Sequence, residues 1–84
     1  MAATYFQIAA ENGDADAQVN FGVFNLLGKG LKQDLIEGYR WLLIAKRRGD
    51  QDVGEAIAFF RKYLTEDQVA EAQRRAKDWR PSIR

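Results

Sequence analysis

Tyr5-Phe6-Gln7-Ile8-Ala9-Ala10-Glu11-Asn12-Gly13-Asp14-Ala15-Asp16 is answered 36 positions later by Trp41-Leu42-Leu43-Ile44-Ala45-Lys46-Arg47-Arg48-Gly49-Asp50-Gln51-Asp52. Tyr5, Ile8, Ala9, Gly13, Asp14 and Asp16 recur as Trp41, Ile44, Ala45, Gly49, Asp50 and Asp52, all in one register. A period of this size belongs to arrays of helix pairs, in which each unit leaves an apolar face for its neighbour to cover.

The periodicity inside each unit is helical. From Asp34 the apolar positions Leu35, Tyr39, Leu42 and Trp41, Ala45 predict a helix ending at Gly49, and Asp34 with Glu37 has capping-box spacing. Asp50 is placed to cap a following helix with Val53, Ala56, Ile57, Phe60, Tyr63 and Leu64 on one buried stripe. The first unit predicts a helix from about Ala3 to Asn12, a turn at Gly13-Asp14, and a second helix from Ala15 to about Leu27 with Ala17, Phe21, Phe24 and Leu27 on one side. Gly28-Lys29-Gly30-Leu31-Lys32-Gln33 joins the units, its glycines ending one helix before Asp34 starts the next. Beyond Leu64, Thr65 and Gln68 form a second capping-box pair, Leu64 can staple to Val69, and a fifth helix runs to about Arg80, before Pro81. Its narrow stripe of Val69, Ala72, Ala76 and Trp79 is what a terminal cap needs. The chain therefore divides into 1–33, 34–64, a capping helix over 65–80 and a tail over 81–84, within one all-α domain.

Bulk composition narrows the function. With 84 residues, 46% of them apolar, the chain is able to fold, yet a domain of this size buries only roughly 60 to 65% of its unfolded surface. Cysteine and histidine are both absent, which removes disulfides, thiol nucleophiles, imidazole bases and the usual zinc and haem ligands. No cofactor, metal or enzymatic activity is expected. No run approaches the roughly 20 apolar residues of a membrane span, and if Met1 is the native start the expectation is a cytoplasmic protein. Residues 1–38 carry two basic and five acidic groups, whereas residues 39–84 carry eleven basic and seven acidic.

Residues that could be read as chemistry have plainer roles. Asp14 with Asp16 and Asp50 with Asp52 sit where helices begin, and there they cap free N–H groups and complement the helix dipole. Gly28-Lys29-Gly30 lacks the earlier glycine and the following Ser or Thr of a phosphate loop. Arg47, Arg48, Arg74, Arg75, Lys77, Arg80 and Arg84 make the best case for nucleic acid, but Asp67, Glu71 and Asp78 dilute it to an ordinary solvated face, and no nucleic-acid partner is expected.

Ala17-Gln18-Val19-Asn20-Phe21-Gly22, Gly28-Lys29-Gly30-Leu31, Gln33-Asp34, Trp41, Ala45 and Gly49 together resemble the Sel1-like repeat, a relative of the TPR. Leu64-Thr65-Glu66-Asp67-Gln68-Val69-Ala70-Glu71-Ala72-Gln73 is similar to the helix that closes many bacterial members. Against that pattern Gly38 stands where alanine is usual, Asn25 replaces a tyrosine, Lys46 replaces an alanine, and Ala58 and Leu64 fall where Gly22 and Gly28 would recur. The resemblance implies a right-handed α-solenoid of about five helices and a non-catalytic adaptor. Its partner would be another protein, presenting a helix or extended segment, or a larger complex in which this chain is a regulatory or stabilising subunit.

Two partner surfaces follow. In TPR-like stacks the first helix of each pair lines the concave side. With Trp41 and Ala45 turned inward, Tyr39, Leu43 and Arg47 form an outward line beside Arg40, unless Tyr39 and Leu43 pack on a neighbouring helix. The other surface is an open N-terminal edge at Tyr5, Phe6, Ile8, Phe21 and Phe24, more apolar circumference than one stripe uses, to be covered by further repeats, a host protein or a second copy.

Overall fold

The computed structural model describes residues 2–82, so expectations attached to Met1 and Arg84 lie outside the described residues. Five helices follow one another: α1 (Ala2–Glu11), α2 (Ala15–Leu27), α3 (Leu35–Arg47), α4 (Val53–Arg61) and α5 (Glu66–Asp78), with no strand among the described residues. The helix count and order match the periodicity, and no boundary differs by more than about three residues. The fourth helix stops at Arg61 and reaches Leu64 through a turn closed by bonds from the Tyr63 and Leu64 N–H groups to the Phe60 and Arg61 carbonyls.

Local chemistry explains each start. The carboxylates of Asp14 and Asp34 accept from the N–H groups of Ala17 and Glu37, both at 3.0 Å. Glu37 does not complete the box at α3, because its carboxylate is taken by Arg40. At α5 the box is complete: Thr65 Oγ1 accepts from the Gln68 N–H, and Gln68 Oε1 accepts from the Thr65 N–H. Asp50 Oδ1 accepts from the N–H groups of Asp52 and Val53, so it caps α4, while Asp52 makes no side-chain capping bond. Gly28 ends α2 in the left-handed region at φ 70°, and its N–H and that of Lys29 both reach the Phe24 carbonyl.

α3 is the hub. It packs against α2, α4 and α5, and α1 packs against α2. Two apolar clusters meet at α3: Tyr39, Leu42 and Ala45 join Leu26, Val53, Leu64, Val69 and Ala72, whereas Trp41 and Ile44 join Ala10, Ala17, Phe21 and Ala76. Leu64 and Val69 share the first of these, as a staple requires. At the α2–α3 crossing Gly22 and Gly38 let the backbones approach so closely that a Cβ on Gly38 would stand 2.7 Å from the Gly22 carbonyl oxygen. Gln18, wholly buried, ties α2 to α1 by donating from Nε2 to the Ala10 carbonyl at 3.0 Å. Buried Asn25 holds the following loop, its carbonyl accepting from the Asp34 N–H at 2.8 Å.

The C-terminal segment runs back across the molecule. Trp79 meets Trp41 edge-on at 5.9 Å between ring centroids, and the Ser82 N–H donates to the Glu11 carbonyl at 2.7 Å.

Candidate functional site

Where α3 and α5 lie side by side, their seam has two kinds of surface. At one end the charges are matched: Glu37 takes two 2.8 Å bonds from Arg40 and lies 3.5 Å from Arg75, and Arg75 in turn bonds Glu71 at 2.7 Å. Hydrogen bonds from Arg75 and Arg74 hold the Glu71 carboxyl below the usual glutamate range, and the bond to Glu71 raises Arg75 above its ordinary value. At the other end the charges are unmatched. A cleft of about 280 Å³ is lined by Leu43, Lys46, Arg47, Gln73, Ala76 and Lys77. It adjoins, at Arg47, a second of about 310 Å³ lined by Ile44, Arg47, Arg48, Trp79, Arg80 and Pro81. Among the described residues no carboxylate lines either cleft, and none of Lys46, Arg47, Arg48, Lys77 and Arg80 joins an ion pair. Their partners are neutral: Arg47 donates to the Ala76 carbonyl, Arg48 to the Gly13 carbonyl at 2.7 Å, and Arg80 to the carbonyls of Lys77 and Trp79.

Of the expected concave line, Leu43 and Arg47 lie in this seam, half-buried and exposed respectively. Tyr39 does not: it is only 4% exposed and belongs to the cluster with Leu26 and Leu42, so its expected outward position is corrected. The reason is that α3 has neighbours on three sides, so a residue turned away from Trp41 meets another helix instead of water. Burial raises the Tyr39 phenol above its ordinary value, with Arg61 opposing. Arg40 is half-buried and paired with Glu37, its guanidinium 4.5 Å from the Trp41 ring centroid.

The N-terminal edge is narrower than expected. Tyr5 and Ile8 stand open, 69% and 57% exposed, while Phe6 and Phe24 are half-buried against each other edge-on at 5.5 Å. Phe21 is not part of the edge: it is buried against Trp41 at 5.9 Å, drawn inward by the aromatic cluster of the second unit.

A third surface escaped the sequence reading. Tyr63 was expected on a buried stripe and Leu27 on the apolar side of its helix, yet both are exposed, as is Phe59, and the three border a cleft of about 360 Å³ with Leu26, Gln33, Leu35 and Phe60. Lys62 lies over its rim, 4.6 Å from the Phe59 ring centroid. Stripe periodicity carried the signal that these side chains share a face, but not that α4 packs on α3 and leaves that face open toward α2. Lys46 was also missed, and Arg48, Lys77 and Arg80, read in the sequence as part of an ordinary solvated face, are gathered with it beside Trp79 and Ala76 only by folding.

Among the described residues no group of three or more His, Cys, Asp or Glu could hold a metal ion, and no helix is long and apolar enough to cross a membrane. No protein-family model and no curated protein matches the chain.

Proposed function

We propose that the chain is a non-catalytic protein-binding module, two Sel1-like helix pairs and a capping helix of a right-handed α-solenoid. The observation that carries this reading is the unequal fate of equivalent positions. Trp41 and Ile44 are 2% and 1% exposed, packed among Phe21, Ala76 and Trp79, while their counterparts 36 positions earlier, Tyr5 and Ile8, stand open. A position that the second unit covers is thus uncovered in the first, and a helix of a partner protein fits over α1 as α5 fits over α3. Burying a side chain of this size contributes roughly 1.5 to 3 kcal/mol, enough for two to anchor an interface. A photo-crosslinking side chain placed at Tyr5 or Ile8 in the source cell tests this, with Glu66, exposed on the cap, as the control. Discrete cross-linked protein species at positions 5 and 8 and none at 66 are expected; silence at both positions rejects the reading.

A further inference from the structure

The seam between α3 and α5 carries a second, chemically different surface, and from it we infer the class of ligand it takes: a polypeptide segment in which carboxylates alternate with apolar side chains. The inference rests on the reading of the chain as a protein-binding module and adds the chemistry of a partner. Five cations, Lys46, Arg47, Arg48, Lys77 and Arg80, surround two adjoining clefts with no carboxylate of the described residues in the lining of either. No described residue supplies their counter-charges, although carboxylates saturate the arginines only a few turns away at Glu37 and Glu71. Gathering like charges without a counter-ion is unfavourable, and an acidic ligand removes that repulsion. Between the cations lie Leu43, Ile44, Ala76, Trp79 and Pro81, so the same clefts accept apolar side chains.

A nucleic acid fits less well. Single strands combine a cationic track with open aromatic faces for base stacking, but the exposed rings here, Tyr5, Phe59 and Tyr63, line neither cleft. Trp79, the one ring that does, is set edge-on to Trp41 and has the Arg48 guanidinium 5.7 Å from its centroid. Glu71 and Asp78 on α5 interrupt any longer phosphate track.

Random peptides of about a dozen residues, long enough to span a cleft of this kind, are displayed on phage and selected in parallel on the whole chain and on its Lys46→Glu/Lys77→Glu variant. Both substituted residues are exposed, and circular dichroism is used to check that the variant keeps its helices. Selected sequences should be rich in Asp and Glu beside apolar residues and should be lost on the variant. The best synthetic peptide, followed by tryptophan fluorescence, should bind about tenfold more weakly to the variant, and more weakly again as salt is raised well above about 0.15 M. An absence of selected peptides, a selection without acidic enrichment, or a peptide indifferent to the variant overturns the inference. So does tighter binding of an oligothymidylate than of the peptide, or self-association of the chain that the variant abolishes, since the occupant is then a nucleic acid or a second copy. Peptides that keep binding the variant but are lost in Tyr5→Glu/Ile8→Glu reject the seam and leave the module standing.

Discussion

Gly22 and Gly38 face each other where α2 crosses α3, and at Gly38 helix propensity and packing pull in opposite directions. In isolation, alanine at Gly38 would favour the helix by roughly 0.5 to 1 kcal/mol. In the fold its Cβ would meet the Leu26 side chain at 2.5 Å, the Gly22 oxygen at 2.7 Å and the Leu26 nitrogen at 2.9 Å, two of them backbone atoms that cannot turn aside. Gly38→Ala should therefore destabilise the protein by about 1 to 3 kcal/mol. A Cβ on Gly54 meets nothing within 4 Å, so Gly54→Ala should stabilise by up to roughly 1 kcal/mol. Paired urea titrations check both, and equal signs would refute the packing argument. Glycine at position 38 thus has a local cause invisible in sequence, namely which atoms lie across the crossing. Tyr39 adds a pH dependence. Its phenol is raised by burial, so its contribution is fully present below the unfolded tyrosine range and is lost as pH rises through the higher folded value. Melting temperatures should fall in strongly alkaline solution, and less steeply in Tyr39→Phe; identical alkaline slopes would count against it.

Helices, their order and their caps were legible because each is written within a few residues. Asp14, Asp34 and Thr65 announce starts that the hydrogen bonds reproduce, and the stripe of α5 is buried at Val69, Ala72 and Ala76 as its spacing requires. What lay beyond reach was how many neighbours an element has. α3 reads as a helix with one inward face, yet it is enclosed on three sides, which takes Tyr39 inside; α4 reads as a helix with a buried stripe, yet Val53 is its only buried residue. Periodicity reports a helix's apolar side and not the extent of its cover. For α5, largely charged and held by a narrow stripe, the cap should matter. Thr65→Ala removes the Oγ1 that accepts from the Gln68 N–H while keeping the backbone N–H that donates to Gln68 Oε1, and is expected to lower stability by about 1 kcal/mol, with hydrogen exchange quickening first in residues 66–69. Exchange that rises uniformly along the chain would show that α5 does not loosen on its own.

As a whole the molecule has apolar surface left over at separate places, Tyr5 with Ile8 on α1 and Leu27 with Phe59 and Tyr63 between α2 and α4. Patches of this kind bind solvatochromic dyes and favour association. Light scattering across dilution should show mass rising at micromolar concentrations and above, or a monomer that binds the dye strongly, and either response should be reduced in Tyr5→Glu/Ile8→Glu. A dye-silent monomer would mean that the faces seal themselves. The edge-on contact of Trp79 with Trp41, together with the bond from Ser82 back to Glu11, bears on how the chain is made. Most contacts of a helix pair are local and can form as the segment leaves the ribosome, but this lock joins α3 to residues translated more than thirty positions later, and α1 to residues later still. Until α5 has emerged, Trp41 and Ile44 lack one of their covers, so the nascent protein passes through an interval in which its central helix is as unprotected as α1 remains afterwards. Ribosome-bound intermediates stalled before Trp79 should accordingly be the ones that holdase chaperones retain.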